Sequence, residues 1–175
     1  MKRPREPVSV IVTPRLALRS ITAEEISAVL NGQRRPDWAA DFPAGGDQVI
    51  AGLLAGIGLP ADDHARRFGH RVVVERDTSA VVGGIGFFGP PQDGEVEIGY
   101  GIVPSRQRRG YATEAVRAMV ADIFQLPGVQ TVTAHVDLDN PASIRVLEKS
   151  GMTLCAQNGE QATYHVGRPR PAGYR

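Results

Sequence analysis

The sequence predicts a single mixed α/β domain in which helices pack on one sheet. The chain has 175 residues, enough for one domain with a sizeable core. Several short segments alternate apolar and polar residues with a period of two, as strands do. One longer segment between residues 112 and 124 repeats its apolar residues at helical spacing instead. Strand-like and helix-like segments follow one another along the chain, with no internal repeat and no interior linker.

In the first half of the chain, a strand is predicted at residues 15–19, where Leu16 and Leu18 alternate with Arg15, Ala17 and Arg19. We expect residues 1–12 to form a flexible tail and residues 13–175 to form the domain. Thr22 and Glu25 have the spacing of a capping box, so a helix is predicted to begin there. Residues 31–46 are rich in Pro, Gly and Asp and predict an irregular loop, followed by a helix at 47–59.

The second half predicts a hairpin of strands at 70–75 and 80–88, then a strand at 96–103. The strongest predicted helix follows, and its apolar stripe consists of Ala112, Ala115, Val116, Met119, Val120, Ile123 and Phe124. A strand at 131–136, a helix at 141–149 with Gly151 beyond its end, and two short strands near 153–156 and 162–166 complete the chain.

The composition excludes several classes of protein. The net charge is +1, so no overall field draws the chain to nucleic acid or anionic membranes. No apolar run is long enough to span a bilayer, and the basic N-terminus lacks the apolar core of a signal peptide, so we expect a cytoplasmic protein. The single cysteine, Cys155, lies in an apolar stretch and is expected to be a buried structural thiol. The four histidines lack metal-ligand spacing, so no metal site is expected.

Residues Gly84, Gly86 and Gly89 match the G-x-G-x-x-G pattern of dinucleotide-binding loops. That pattern requires a helix to begin at its third glycine. Here Pro90 and Pro91 follow instead, which is typical of a turn. We therefore interpret these glycines as small residues within or at the end of a strand.

The segment SRQRRGYATEA at residues 105–115 contains three arginines and a glycine immediately before the strongest predicted helix. The first turn of a helix has unpaired N–H groups and a partial positive charge, and both favour an anion. Gly110 would let a phosphate approach the backbone closely. From the residues alone, a phosphate cradle and a solvated basic turn remain equally open. A nucleic-acid surface would need a broad basic face, which Glu114, Asp122 and the near-zero net charge do not support.

Three segments in order resemble the GCN5-related N-acetyltransferases. Gln107-x-x-Gly110-x-Ala112 matches the family's Q/R-x-x-G-x-G/A signature within the segment EIGYGIVPSRQRRGYATEAVRAMV. TPRLALRSITAEE is similar to the opening of the branch that contains the ribosomal-protein N-terminal acetyltransferases, and AHVDLDNPASIRVLEKSGM to a later strand-loop-helix. The resemblance implies a mixed, mostly antiparallel sheet of about seven strands with about four helices, splayed between its fourth and fifth strands.

The resemblance also implies a reaction. Family members transfer an acetyl group from acetyl-CoA to a primary amine within a ternary complex. Backbone N–H groups from Arg108 to Ala112 would hold the CoA pyrophosphate, the end of the fourth predicted strand would pair with the pantetheine arm, and the N–H of Val103 could stabilise the thioester oxygen. The residues expected to bind the cofactor are Ile102, Val103, Gln107, Arg108, Arg109, Gly110, Tyr111, Ala112, Thr113, Asn140 and Ser143.

The attacking amine must be neutral, so a base or a water relay would assist it. Glu97 is the candidate base, because it shares one face of its strand with Gly99 and Gly101, where a substrate would have space. An exposed strand glutamate without a catalytic role remains the alternative, and Glu95 on the same face is the second candidate.

The CoA thiolate must be stabilised as it leaves. Many family members have a tyrosine seven residues after the asparagine that corresponds to Asn140, but this chain has Leu147 there. In the branch that it resembles, an asparagine and a serine at the spacing of Asn140 and Ser143 contact CoA near its sulfur. Ser143 is therefore the candidate donor, although Asn140 could serve only as a helix cap. Tyr100 and Tyr164 remain possible replacements for the missing tyrosine.

Trp38 and Phe42 are expected to form a wall of the acceptor site, because the corresponding segment varies in the family and sets specificity. The alternative is that they fill the core. The acceptor would be a protein N-terminal α-amine or a small-molecule amine. A non-catalytic acyl-CoA sensor of the same fold remains the second candidate function, and a homodimer would be compatible with either.

Overall fold

The computed structural model describes residues 10–170, which form one eight-stranded sheet flanked by five α-helices. The strands are β1 (Ile11–Val12), β2 (Leu16–Ser20), β3 (His70–Glu75), β4 (Ala80–Phe87), β5 (Glu95–Ile102), β6 (Thr131–Asp137), β7 (Thr153–Gln157) and β8 (Gln161–Gly167). The helices are α1 (Ala23–Leu30), α2 (Gly45–Ile57), α3 (Asp63–Arg67), α4 (Tyr111–Ile123) and α5 (Pro141–Lys149).

The strands lie in the order β1-β2-β3-β4-β5-β6-β8-β7, and neighbouring strands are antiparallel except for β5 and β6. These two run parallel and pair only over Glu95–Glu97 and Thr131–Thr133. Beyond Glu97 they separate, which leaves the second half of β5 with a free edge. The splay predicted between the fourth and fifth strands is confirmed at this position, because β1 adds one strand to the count.

The capping signals in the sequence correspond to the observed helix starts. Thr22 and Glu25 form the predicted capping box of α1. Asn140 caps α5 by accepting a hydrogen bond from the N–H of Ser143 at 3.1 Å. Helix α4 buries its apolar stripe, with Met119 and Ile123 almost inaccessible to solvent. Helix α4 packs against β1, β2, β4 and β5, and its first turn follows the loop that leaves the end of β5.

Strands β4 and β5 present one face to α2 and the opposite face to α5. Gly84 pairs with Gly101 and Gly86 with Gly99, and these glycines face α2. The adjacent Tyr100 points the opposite way and contacts α5 through its hydroxyl. Because side chains alternate along a strand, α2 and α5 lie on opposite faces of the sheet at the point where β5 and β6 separate.

Two expectations are corrected, and one helix lies where none was predicted. Ile11 and Val12 pair with β2 and belong to the sheet, so the flexible tail predicted through residue 12 does not extend that far, and residues 1–9 lie outside the described residues. Helix α3 was not predicted, since its five residues are too short for a periodic pattern. Cys155 is exposed rather than buried, because β7 is the edge strand of the sheet and all five of its residues are exposed. Within residues 10–170, no helix is both long and apolar enough to cross a bilayer.

Candidate active site

The loop between β5 and α4 has an unusual backbone conformation. Arg108 and Gly110 both have left-handed backbone conformations, with φ of 61° and 80°. Gly110 is the N-cap of α4 and provides no side-chain cap, so the N–H groups of Tyr111, Ala112 and Thr113 have no intrahelical acceptor. The helix dipole adds a partial positive charge at the same point. The predicted cradle is therefore a turn with free amides at the start of α4.

The arginines of this loop have different environments. Arg106 and Arg109 lie 3.3 Å and 3.5 Å from the carboxylate of Glu75, which is buried on β3. Burial raises the pKa of Glu75, but hydrogen bonds from Thr78, Tyr111 and Arg106 outweigh it and hold the pKa below its usual value. Glu75 thus stays ionised and anchors the loop. Arg108 is exposed and forms no ion pair within residues 10–170, which leaves its charge available to a ligand.

The free edge of β5 corrects one expectation about the backbone. The N–H of Val103 donates to the carbonyl of Val82 on β4 at 2.9 Å, so it is not available to a thioester oxygen. Successive N–H groups of a strand point to opposite sides. The N–H of Ile102 therefore points away from β4, towards the splay. Gln107 supports this edge by donating its side-chain amide to the Ile102 carbonyl at 2.9 Å.

A hydroxyl at the start of α5 forms a hydrogen bond with a hydroxyl on β5. Ser143 Oγ lies 2.8 Å from the hydroxyl of Tyr100 on β5. Burial raises the pKa of Tyr100, and the hydrogen bond with Ser143 acts in the opposite direction. Leu147, which stands where the family has a tyrosine, is buried in the core. Burial raises the pKa of Tyr164, and the nearby carboxylate of Glu148 raises it further. Glu148 lies near the C-terminal end of α5, away from Ser143. Tyr100, and not Tyr164, therefore lies beside Ser143.

A cavity of about 640 Å³ lies between α2 and the glycine-rich face of β4 and β5. The floor of the cavity consists of four glycines, Gly84, Gly86, Gly99 and Gly101. Ile102 also lines the cavity, which therefore extends to the free edge of β5. A Cβ atom at Gly84 would lie 2.5 Å from His70 Nε2 and 2.8 Å from Asp47 Oδ1. Two ionisable side chains therefore converge at one point above this floor.

The apolar surroundings shift both groups towards their neutral forms. Burial raises the pKa of Asp47 to about 6, although a hydrogen bond from the Ala44 N–H at 2.9 Å opposes the shift. Burial lowers the pKa of His70 to about 4. At neutral pH, Asp47 is consequently an anion and His70 is a neutral imidazole, which can accept a hydrogen bond.

The comparisons with known proteins agree with this architecture. The acetyltransferase (GNAT) domain family matches residues 15–153. YoaA of Bacillus subtilis, described as an uncharacterized N-acetyltransferase, is 31% identical over 176 residues, which cover 92% of this chain and 98% of YoaA. YjdG of the same organism, described in the same words, is 32% identical over 103 residues, 58% of this chain and 61% of YjdG.

The chain belongs to the GNAT acetyltransferase family. Solved structures show the same fold. A GNAT-family acetyltransferase from Bacillus anthracis has a TM-score of 0.64 at 22% identity and covers 91% of this chain and 99% of its own. The ribosomal L7/L12 α-N-protein acetyltransferase RimL, solved in complex with coenzyme A, has a TM-score of 0.64 at 18% identity, with 91% and 98% covered. GNAT acetyltransferases use acetyl-CoA, and the free amides at α4 and the free edge of β5 fit its phosphates and its amide-containing arm.

In this GNAT acetyltransferase, the candidate base Glu97 does not line the cavity. Its carboxylate is partly exposed and lies 3.9 Å from His135 Nε2 on β6. The ring of Phe88 occupies the space over Gly99, the next residue on that face of β5. Glu95, the second candidate, is exposed near the start of β5, with Thr133 at 3.5 Å. Both carboxylates lie at the paired end of β5 and not at its free edge.

Trp38 and Phe42 of the acetyltransferase also lie away from the cavity. They are 5% and 3% exposed and pack edge to face, with 4.9 Å between their ring centroids. Trp38 forms a β-bridge with Val81 on the core side of β4. This placement favours the structural role over the acceptor wall.

Sequence reasoning missed Asp47 and His70. The sequence pattern indicates only that Asp47 begins a helix and that His70 begins a strand. A signal is nevertheless present, because Gly84 and Gly86 belong to the G-x-G-x-x-G segment that we interpret as small residues within or at the end of a strand. They leave room for the His70 ring, which a Cβ atom at Gly86 would meet at 2.9 Å.

Proposed function

We propose that this acetyltransferase moves an acetyl group from acetyl-CoA directly to a primary amine within a ternary complex. The main support for the proposal is that the candidate cofactor site and the cavity lie on opposite faces of the sheet and approach the same strand edge. The cradle and Ser143 lie on the side of α4 and α5, and the cavity lies on the side of α2. The cavity reaches Ile102 at the free edge of β5, and Gln107 of the loop before α4 donates to the Ile102 carbonyl, so an amine and a thioester would meet there.

The cofactor would be held mainly by backbone atoms. The N–H groups from Arg108 to Thr113 would bind the pyrophosphate, with positive charge from Arg108. Along the free edge of β5, Ile102 would pair with the amide-containing arm, and its N–H would replace Val103 as the donor to the thioester oxygen. Asn140 would remain near the arm while capping α5.

Acetyl-CoA supplies an activated acetyl thioester. The amine nitrogen first loses a proton to water and then forms a bond to the acetyl carbon while the carbon–sulfur bond breaks. The nitrogen loses a second proton to water, and the sulfur departs as a thiolate that takes up one proton. The Ser143 and Tyr100 hydroxyls would donate to that thiolate, so Tyr100 would replace the tyrosine that is missing at Leu147.

The test measures thiol release from acetyl-CoA with a panel of small amines and peptides. We expect turnover with at least one amine. The Tyr100→Phe and Ser143→Ala variants should lower kcat, on the order of 100-fold for the double variant, because general acids typically contribute at least that much. Acetyl-CoA affinity, measured by calorimetry, should change little. Tyr164→Phe is the matched control, since it removes a buried hydroxyl outside the site.

Two outcomes would contradict the proposal. Acetyl-CoA binding without thiol release for any amine would favour the non-catalytic sensor. A folded protein that does not bind acetyl-CoA would overturn both candidate functions.

A further inference from the structure

The cavity between α2 and the glycine floor has an unusual distribution of polarity. Its lining is almost entirely apolar or backbone. On α2, three apolar side chains at four-residue spacing line it while remaining exposed, namely Val49 at 72%, Leu53 at 47% and Ile57 at 71%. Phe88 contributes a fourth exposed apolar surface across the cavity. These surfaces would be stabilised by contact with an apolar group.

Tyr100 also lines the cavity, but its hydroxyl pairs with Ser143, and the other polar side-chain atoms lie at one point of the floor. Asp47 uses Oδ2 to accept from Ala44, while Oδ1 points to the space above Gly84 and has no partner among residues 10–170. His70 Nε2 reaches the same space, and its ring nitrogens likewise have no partner in the described part of the chain. A hydrogen-bond donor placed between them would satisfy both groups.

The formal charge of the site identifies that donor. Asp47 is the one carboxylate lining the cavity within residues 10–170, and no Lys or Arg lines it. A single anion in an apolar cavity attracts one cation and disfavours a further charge, because an unpaired buried charge is costly. Resting on the proposed function, we infer that the acceptor is a primary amine on an apolar body, with its ammonium group bound by Asp47 and His70 and its body packed against the α2 stripe.

This assignment also states what the site disfavours. An amino acid carries a carboxylate beside its amine, which would face Asp47 without a cationic partner. Spermidine carries further ammonium groups, which would enter an apolar cavity unpaired. Two kinds of acceptor have the favoured chemistry, a single ammonium group on an apolar body. One is a free arylalkylamine, and the other is a peptide with an apolar N-terminal residue, because the first carbonyl of a peptide belongs to a neutral amide.

The experiment compares four acceptors by thiol release at saturating acetyl-CoA. They are phenethylamine, Phe-Gly-Gly-Gly amide, phenylalanine and spermidine. We expect phenethylamine or the peptide amide to have the highest kcat/KM, roughly 10-fold or more above phenylalanine and spermidine, which corresponds to losing one favourable charged contact. The ratio of the first two distinguishes a free amine from a peptide terminus.

The Asp47→Asn variant isolates the charge. Asparagine can still accept from the Ala44 N–H, so the start of α2 should keep its cap. We expect KM for the preferred amine to rise roughly 10- to 100-fold, as for loss of a charge-assisted hydrogen bond. KM for acetyl-CoA should be unchanged. Asp77→Asn, in the β3–β4 turn, removes a carboxylate elsewhere and should leave both constants unchanged.

Binding of phenethylamine to the protein saturated with CoA, measured by calorimetry, gives a readout that does not depend on turnover. Binding that is lost in Asp47→Asn supports the assignment even if no acceptor is acetylated, in which case the proposed function alone fails. Turnover that favours spermidine or phenylalanine, or that is indifferent to Asp47→Asn, overturns this inference and leaves the proposed function intact. A second result would also overturn it. If light scattering shows a dimer that Val49→Glu dissociates, and if phenethylamine does not bind to the wild-type protein, then a second copy of the chain covers the α2 stripe.

Discussion

At the scale of single residues, the unusual groups of this protein are Asp47 and His70, because burial shifts their pKa values in opposite directions. The pKa of Asp47 is raised from 3.8 to about 6 and that of His70 is lowered from 6.5 to about 4. Folding therefore favours a proton on Asp47 and disfavours one on His70. The two effects act over nearly the same pH range and oppose each other in the free energy of unfolding.

The variants should separate these effects between pH 4 and pH 6. As pH rises, the raised pKa of Asp47 makes its contribution to stability fall, whereas the lowered pKa of His70 makes its contribution rise. Asp47→Asn should therefore become more stable relative to the wild type as pH rises, by about 2 kcal/mol over this range, since one pKa unit corresponds to about 1.4 kcal/mol. His70→Gln should show the opposite slope.

Urea unfolding of each protein at pH 4, 5 and 6 measures this difference. Groups such as Glu75 titrate in every variant, so their contribution cancels in the comparison with the wild type. Parallel curves for all three proteins would mean that Asp47 and His70 are more hydrated than their positions in the cavity indicate.

At the scale of elements, the glycines of β4 and β5 differ in what their missing side chains allow. A Cβ atom at Gly83 would lie 2.1 Å from the backbone oxygen of Gly101, whereas a Cβ atom at Gly101 would meet nothing within 4 Å. The first glycine is required for the strand pairing itself. The second leaves the floor of the cavity open beside the free edge of β5.

Alanine at these two positions should have contrasting results. Gly83→Ala should destabilise the fold by about 3 kcal/mol or more, because two backbones must move apart. Gly101→Ala should be neutral or stabilising by up to about 1 kcal/mol, since alanine restricts the unfolded chain and the site has room. Thermal unfolding measures both. Equal stability of the two variants would contradict the strand geometry.

Gly101→Ala should nevertheless impair acetylation, because its methyl group would occupy the floor where the amine approaches. A rise in KM for the amine without a change in KM for acetyl-CoA would distinguish this effect from a loss of structure.

At the scale of the whole molecule, the splay between β5 and β6 would connect the two proposed sites on opposite faces of the sheet. The cradle follows the end of β5, while β8 ends at Gly167 beside the start of β6. Positive charge at these two ends of the sheet should therefore affect CoA binding very differently. Arg108 lies at the first end and Arg170 beyond the second.

We expect Arg108→Gln to weaken acetyl-CoA binding by roughly 10-fold, as for a lost contact between a charged donor and phosphate, and Arg170→Gln to leave it unchanged. Calorimetry measures both affinities. At 100 times its dissociation constant, acetyl-CoA should stabilise the wild-type protein by about 2.7 kcal/mol, which raises Tm by about 5–10 °C. Equal losses in the two variants would indicate non-specific attraction instead of a cradle.

The sequence by itself determined the order of the main elements and the position of the glycine turn before α4. These features are local, because a cap, a helical stripe or a glycine turn is encoded within a few residues. Thr22 with Glu25, the stripe of α4, and Gly110 at its start are examples. The short elements β1 and α3 were missed, since two and five residues carry too little periodicity, and their neighbours stabilise them.

The tertiary structure alone decided which side chains meet at the site. Asp47 and His70 come from α2 and β3 and converge only because β4 presents Gly84 to both. Strand pairing decides this contact, since a shift of one residue would turn Gly84 to the other face and leave a large side chain at the floor. The same alternation turned Tyr100 towards Ser143 and paired the Val103 N–H with β4. The chemistry of the proposed acceptor site therefore depends on strand register, which no local pattern of residues contains.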